Sequence, residues 1–416
     1  MQTRNSIGQN TVSCTMRKID LTNFQVATSE TARDINRRIV LNLIRKHQPL
    51  SRADLARHSG LQRSTVSAIT EQLIADRWVT EGALADLPRG RKPTFLHLNA
   101  DRTGIVGITV RPSATALALA RLDTSFIAQT SIPTEGSASQ FIARLTEQVV
   151  NLIESHPGVS VEGIGVSLPG RVDSQTQKLV FAPNLEWRNL DLKTPLERAT
   201  GLPVELENAA NACALAEIWF GRHTDNVHNL IAVAVSEGIG VGMFLNGQLV
   251  RGPSGMAGEF GHVSLEENGP LCNCGNRGCW EVFASNIAAT RYYDQLLSGR
   301  RDKKSSRPSV SFGGLLARVR NGDPHAVEAL GRMAHYLGAG LAMLVSGFSP
   351  QAIVIVGEVT EAWDQVAPVI HEVIKRRCPA FSVPPILPTN PSGGQPRLRG
   401  AIALILQKHF AAPQIV

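Results

Sequence analysis

The 416-residue sequence has few cysteines, no long apolar run and almost no net charge over most of its length. No apolar run approaches the roughly 18–20 residues that a membrane-spanning helix needs. Residues 1–30 contain no apolar signal core, so the sequence does not indicate secretion. Only six cysteines occur, and disulfides are not expected in a chain of this length without a secretory context. These absences predict a cytoplasmic protein that makes no contact with a membrane.

The positive charge of the chain is confined to its first quarter. Residues 1–100 contain 15 lysines and arginines against 8 acidic residues, whereas the remainder contains 27 of each. A basic segment attached to a neutral body suggests contact with a polyanion, although basic tails are common. The length allows two or three domains with a sizeable core.

Three short helices are predicted within this basic quarter. The first begins near Arg33, and the second is capped by Ser51 and stops at Gly60. A third helix follows after Leu61. Helix, short helix, glycine turn and helix form the helix-turn-helix pattern, whose last helix reaches base edges in the major groove. The residues predicted to face DNA from that helix are Arg63, Ser64, Thr65 and Ser67.

A β-hairpin wing is predicted after the third helix. Strands at Trp78–Thr80 and Thr94–Leu98 flank a polar segment whose tip carries Arg89, Arg91 and Lys92. Arginines flanked by glycine and proline suit a narrow minor groove. A three-helix unit can also be a simple packing module, but the basic wing and the localised charge favour DNA binding. Residues 1–32 are polar and predict a flexible segment ahead of a winged domain at 33–98.

Three of the six cysteines lie within eight residues. They form C-x-C-x4-C, and a histidine precedes the first of them by ten positions. Three thiolates and one imidazole suit tetrahedral zinc, and four protein ligands leave no open position, so the site would be structural. The alternative reading is free thiols or a disulfide. The predicted ligands are His262, Cys272, Cys274 and Cys279.

The stretch Gly255–Glu281, which contains this motif, resembles the signature of the ROK family of repressors and sugar kinases. The resemblance implies an α/β protein: an N-terminal winged helix-turn-helix followed by a two-lobed sugar kinase/actin/Hsp70-like (ribonuclease H-like) body. The first lobe would comprise 101–222 with the C-terminal segment 398–416. The second, 223–397, would carry the zinc loop and a dimer interface.

The same resemblance implies a sugar pocket. Glu259, His262 and Glu281 occupy positions that face a bound sugar in the family. Carboxylates accept hydrogen bonds from sugar hydroxyls, and a zinc-bound imidazole keeps one ring N–H as a donor. Asn208 matches an amide that contacts sugar hydroxyls in the family, and Asn184 is a further candidate, although an asparagine after proline is as often a turn residue.

The motifs for nucleotide binding and catalysis depart from the kinase pattern. A kinase member carries D-x-G-G-T, G-T-G-I-G and a double glycine, where this chain has Thr109–Ser113, Ser236–Gly240 and Gly357-Glu358. The E-N-D-A-N motif supplies a catalytic aspartate, and the residue here is Ala209, which cannot accept a proton. Its loss favours a ligand without a primary hydroxyl, or one already phosphorylated there.

Together these features predict a sugar-responsive transcriptional repressor that is not an enzyme. It would bind an inverted-repeat operator as a homodimer or a dimer of dimers, with a sugar or sugar phosphate as effector. Two alternatives remain: an ATP-dependent sugar kinase with a DNA-binding appendage, and a DNA-binding regulator that needs no ligand.

Overall fold

The computed structural model of the protein describes residues 28–84, 94–221, 227–253, 255–298, 310–380, 382–389 and 395–411. Contacts divide the chain into two units, of which the first comprises Met1–His97 with Phe410–Val416 and the second Leu98–His409. None of the helices in the described ranges is long and apolar enough to cross a membrane.

The first unit has the predicted winged helix-turn-helix order. Its elements are α1 (Ser29–His47), β1 (Leu50–Ser51), α2 (Arg52–Ser59), α3 (Arg63–Ala75), β2 (Val79–Leu84) and β3 (Thr94–Leu98). The three strands form one sheet in the order β1-β3-β2. The predicted wing tip, with Arg89, Arg91 and Lys92, lies outside the described residues, as does most of the predicted flexible N-terminal segment.

Side-chain caps fix the ends of these helices. Ser51 and Asp54 form the predicted capping box at the start of α2, and Gly60 ends that helix in the left-handed conformation. Helix α1 starts four residues before the predicted Arg33, because Thr28 and Thr31 form a capping box of their own. Phe410 belongs to the same unit, and its ring meets Trp78 edge-on at 5.8 Å between centroids.

The second unit begins with a five-stranded sheet. Its strands are β4 (Thr103–Thr109), β5 (Ala114–Arg121), β6 (Phe126–Pro133), β7 (Ser160–Leu168) and β11 (Val204–Asn208), in the order β11-β7-β4-β5-β6. A separate small sheet contains β8 (Arg171–Val172), β9 (Leu179–Ala182) and β10 (Trp187–Leu190). The accompanying helices are α4 (Ala138–Glu154), α5 (Lys193–Thr200) and α6 (Ala209–Phe220).

A second five-stranded sheet follows with the order β14-β13-β12-β15-β16. Its strands are β12 (Leu230–Val235), β13 (Ile239–Leu245), β14 (Gln248–Leu249), β15 (Ala352–Val356) and β16 (Ile386–Pro388). The remaining helices are α7 (Trp280–Ala284), α8 (Asn286–Ser298), α9 (Phe312–Arg320), α10 (Pro324–Phe348), α11 (Trp363–Arg377) and α12 (Pro396–Phe410). Each five-stranded sheet combines a hairpin with parallel strands, which confirms the predicted two-lobed α/β body.

Helix α12 returns the end of the chain to the core of this unit. Ala403 and Leu404 pack with Leu215 of α6, and the inward-facing residues Ala401 and Ile402 are fully buried. The sequence-distant C-terminal segment is therefore part of the framework that holds α6 in place.

Helix α10 crosses the start of α7 at a glycine. The indole of Trp280 is fully buried, and its Nε1 donates a hydrogen bond to the carbonyl oxygen of Tyr336 at 2.9 Å. A Cβ atom on Gly340 would lie only 1.9 Å from Trp280 Cε2. The close approach of α10 to α7 therefore requires a residue without a side chain at this position.

We expect Gly340→Ala to lower the free energy of unfolding by about 1–3 kcal/mol, because the added methyl group overpacks the core. Gly331→Ala in the same helix is the matched control, since a Cβ there would meet no atom within 4 Å. This control should raise the free energy of unfolding by up to about 1 kcal/mol through helix propensity. Urea unfolding followed by circular dichroism measures both changes, and equal effects would contradict the packing argument.

Candidate functional site

A cleft of about 640 Å³ opens in the second unit, lined by residues that follow strands of both five-stranded sheets. Its volume is in the range of small-molecule sites. The structure brings all of the sequence-predicted sugar residues to this one cleft: Asn184, Asn208, Glu259, His262 and Glu281.

The four predicted metal ligands converge at one end of the cleft. The ligand atoms of His262, Cys272, Cys274 and Cys279 all lie within 4.8 Å of one another. The Cys272 sulfur is 3.7 Å from His262 Nδ1, and the Cys274 sulfur is 3.7 Å from that of Cys279. The donor set of three sulfurs and one imidazole can hold a metal ion.

Tight turns in the loop bring the cysteines together. The amide of Gly275 donates a hydrogen bond to the carbonyl of Cys272 at 3.0 Å, and the amide of Cys272 donates to the carbonyl of Asn276 at 2.8 Å. Gly278 has a φ of +64°, and a Cβ there would lie 1.7 Å from the Glu266 carbonyl oxygen. Glycine at this position therefore allows Cys279 to reach the cluster just before α7.

His262 connects the cluster to two carboxylates. Its Nδ1 lies 3.5 Å from Glu281 Oε1, and its Nε2 lies 3.7 Å from Glu259 Oε2. One ring nitrogen thus faces the sulfurs, and the other faces the cleft by way of Glu259. Burial raises the pKa of Glu259, an effect that the charge of His262 partly offsets.

The thiol of Cys272 is the most perturbed member of the cluster. Burial is the main cause that raises its pKa, and a hydrogen bond from the thiol to Glu281 Oε1 at 3.0 Å contributes. Burial likewise raises the pKa of Cys279. A divalent cation would oppose this effect, since metal coordination stabilises the thiolate form.

The two asparagines differ in how they are held. Asn208 caps α6 through Oδ1, which accepts from the Ala210 amide at 2.8 Å, while its Nδ2 donates to the Gly170 carbonyl at 2.6 Å. Its amide therefore positions the loop at Gly170 as well as lining the cleft, a role that the sequence did not reveal. Asn184 is exposed at the cleft, in a 3-10 turn.

The kinase-type motif on β11 is held by protein contacts. Glu207 is buried, and its Oε2 accepts from Arg251 Nε at 2.6 Å, while Oε1 accepts from Asn211 Nδ2 at 3.0 Å. Ala209 begins α6 and presents a methyl group to the cleft. The motif thus keeps the ion pair between Glu207 and Arg251, whereas Ala209 stands where the kinase pattern has its catalytic base.

The loop Ser236–Gly240, which matches the second phosphate loop of the kinase pattern, is contacted by an arginine of the protein itself. Arg397 of α12 donates from Nη2 to Ser236 Oγ at 3.0 Å. Burial, followed by the charge of Arg397, lowers the pKa of Arg111, which stands where the first phosphate loop of the kinase pattern has glycine. Glu237 lines the same part of the cleft.

The arginines of the cleft were not among the predicted site residues: Arg171, Arg188 and Arg397. Arg171 adjoins Gly170, and its place in the loop after β7 was the one signal that could have indicated it. Arg188 and Arg397 come from β10 and α12, and only the fold brings them to the cleft.

In the first unit, the start of α3 exposes Arg63 and Ser64, while Thr65 and Ser67 are half-buried. Gln62 precedes the helix without a side-chain capping hydrogen bond. The first turn of α3 therefore presents exposed polar side chains, as a recognition helix requires.

Two sequence profiles match this chain: one described as the ROK family over residues 105–408, and one described as winged helix-turn-helix DNA-binding over residues 33–80. The xylose repressor of Bacillus subtilis (strain 168) is 33% identical over 346 residues, which cover 82% of this chain and 87% of that protein.

Two solved structures share the fold. A ROK family transcriptional regulator, a homologue of the E. coli MLC protein, superposes with a TM-score of 0.77 at 26% identity, covering 91% of this chain and 98% of that one. A ROK family glucokinase from Streptomyces griseus, solved with glucose and AMPPNP, gives 0.65 at 30% identity and covers 73% and 99%. With a winged helix-turn-helix at its N-terminus and the family profile matched over most of its length, this chain belongs to the ROK family.

Proposed function

We propose that this protein is a sugar-responsive, DNA-binding transcriptional repressor of carbohydrate genes, whose kinase-like body senses its effector without catalysing phosphoryl transfer. One observation carries the proposal: Glu259, His262 and Glu281 converge on a cleft in which Ala209 replaces the catalytic aspartate of the kinase pattern. The similarity to the xylose repressor and to the MLC homologue supports it.

Structural zinc is the metal that fits the Cys3His cluster. Zinc–sulfur bonds of about 2.3 Å in a tetrahedron place two sulfurs about 3.8 Å apart, and a sulfur and an imidazole nitrogen about 3.6 Å apart. Both corresponding separations in the cluster are 3.7 Å. When bound, the ion would fix the orientation of His262, and with it the ring nitrogen that faces Glu259.

We expect one zinc ion per chain in the purified protein, by elemental analysis. Cys272→Ser should lose most of the ion and weaken the response to sugar, because the loop that leads to α7 and its Glu281 loses an anchor. Cys378→Ser is the matched control, since Cys378 is a buried thiol outside the cluster and should leave the metal content unchanged. A zinc-free wild-type preparation would contradict the assignment.

Operator recognition requires two copies of the chain. Half-sites of an inverted repeat lie about one helical turn (34–36 Å) or a multiple apart, so each winged unit reads one of them. We therefore propose a homodimer, or a dimer of dimers, bound to a pseudo-palindromic operator. At the start of α3, the residues that would face the bases are Arg63, Ser64, Thr65 and Ser67. The basic residues that would approach the minor groove or the phosphates are Arg89, Arg91 and Lys92.

Arg63→Ala should relax base preference at one operator position by about 1–3 kcal/mol, because a guanidinium that pairs with a base edge would be lost. Arg198→Ala, an exposed arginine on α5, is the charge-matched control. Selection from a randomised operator library gives the base preference, and fluorescence anisotropy gives the affinity. If a fragment that begins at Gly104 bound operator as tightly as the full chain, the winged unit would not be the reader.

The competing assignment is an ATP-dependent sugar kinase, and the similarity to the S. griseus glucokinase favours it. The contacts of Arg397 with Ser236, and the methyl group at Ala209, argue against it. A regulator that needs no ligand is the other alternative, and the convergence of Glu259 and Glu281 on one cleft argues against that reading.

Glu259→Gln should weaken sugar binding by roughly 10- to 150-fold, because a charge-assisted hydrogen bond contributes about 1.5–3 kcal/mol. Glu281→Gln should act in the same direction, with zinc content measured in parallel since Glu281 contacts the Cys272 thiol. Operator affinity without sugar should be unchanged in both, and the exposed Glu154→Gln serves as control.

The measurement is the release of operator during titration with a panel of pentoses, hexoses and their phosphates, alongside an assay for ATP turnover. An unaltered sugar response in both glutamine variants would overturn the pocket assignment. Appreciable turnover of ATP by the wild-type protein would overturn the proposal of a sensor without catalysis.

A further inference from the structure

The small sheet β8-β9-β10 forms one wall of the cleft and places two arginines on either side of a phenylalanine. In its antiparallel register, Arg171 and Arg188 each pair with Phe181, from opposite sides. Residues paired across antiparallel strands project from the same face of a sheet. Arg171, Phe181 and Arg188 therefore form a row on one face, and all three line the cleft.

In the part of the chain that the structure describes, neither guanidinium group forms a salt bridge with a carboxylate, and only that of Arg188 is oriented by the Phe181 ring. The guanidinium carbon of Arg188 lies 4.1 Å from the centre of the Phe181 ring, so the aromatic face orients it. Arg171 Nε is shielded from solvent and makes no hydrogen bond with any residue in the described ranges. Within those ranges, neither arginine forms an ion pair with a carboxylate.

The acidic residues beside this row are already engaged elsewhere. Asp173 Oδ1 accepts from the amides of Thr176 at 2.7 Å and Gln175 at 3.0 Å. Asp191 accepts from the Thr194 amide at 3.0 Å and pairs with Lys178 at 3.6 Å. Neither carboxylate forms a salt bridge with Arg171 or Arg188 among the described residues, so the N–H donors of both guanidinium groups remain available to a ligand.

The cleft combines this positive wall with the acidic end at the metal cluster. Arg171 and Glu259 line the same cleft. Carboxylates at Glu259 and Glu281 suit neutral hydroxyl groups, whereas a planar guanidinium with paired N–H donors matches a carboxylate or phosphate. A neutral sugar would leave these donors without a charged acceptor.

We propose that Arg171 and Arg188 form an anion subsite of the cleft, so that the effector is a sugar that carries a carboxylate or phosphate group. This inference rests on the proposed sugar-sensing function and names its ligand class. The hydroxyl groups would meet the Glu259 end, and the anionic group would meet the Arg171–Phe181–Arg188 row.

The test is isothermal titration of the full-length, zinc-loaded protein with matched probes. The sets are glucose, glucuronate and glucose 6-phosphate; xylose and xylonate; and N-acetylglucosamine with its 6-phosphate. In at least one set, the anionic member should bind roughly 10- to 150-fold more tightly than the neutral one, and the gain should shrink at high salt. Comparing glucuronate with glucose 6-phosphate separates carboxylate from phosphate recognition.

Arg171→Met and Arg188→Met should each abolish most of this gain, measured within each variant as the ratio of the affinities for the anionic and the neutral probe. Arg198→Met, which removes the same charge outside the cleft, should keep the gain in full. Arg171→Lys and Arg188→Lys keep the charge but lose the paired donors, so they should retain part of it. If a methionine variant unfolds because packing on Phe181 is lost, the lysine variant at the same position replaces it in the test.

The outcomes separate the two proposals. The anion subsite is wrong, and sugar sensing stands, if neutral probes bind the wild type as tightly as their anionic partners. The same holds if the tighter binding of the anionic probe survives in all four variants of Arg171 and Arg188. If no probe of either kind binds, both the sugar-sensing proposal and the subsite are overturned.

Discussion

The carboxylate of Glu281 is shared between the cysteine cluster and the cleft, and this sharing constrains the whole site. Oε1 lies 3.0 Å from the Cys272 sulfur, and Oε2 accepts a hydrogen bond from the Ile239 amide at 3.4 Å, at the start of β13. Glu281 therefore connects the cluster to the start of β13. The predicted metal ligands and the cleft are not independent, because His262 belongs to both and Glu281 lines the cleft while contacting His262 and Cys272.

The body keeps the frame of a kinase but fills its reactive positions with protein contacts. The Glu207–Arg251 pair is short at 2.6 Å and its carboxylate is buried, so loss of the arginine would leave an uncompensated charge inside the core. The backbone N–H of Asn208 and the side-chain amide of Asn211 also donate hydrogen bonds to that carboxylate. These contacts give the E-N-A-A-N motif a structural role that persists without a base at Ala209.

The features predicted well from the sequence were those with a local signal. The capping box at Ser51, the glycine stop at Gly60 and the spacing of the three clustered cysteines all depend on nearby residues, and the structure reproduces each. The row of Arg171 and Arg188 could not be predicted, because strand register brings together residues from separate strands of β8-β9-β10. The hydrogen bond from the Asn208 side-chain amide to the Gly170 carbonyl was not predicted for a similar reason, because Gly170 lies on a loop distant in sequence.

Helix α12 has a consequence for the way the protein is made. Ala401 and Ile402 are fully buried in the second unit, whereas Phe410 supplies an aromatic partner to Trp78 in the first. In chain order these residues come after every strand of the two five-stranded sheets, so a ribosome makes them later than those strands. Neither core is complete until then, so a nascent or prematurely terminated chain exposes apolar surface in both units. We therefore expect chains that are cut short before α12 to aggregate or to be degraded, because exposed apolar surface favours both outcomes.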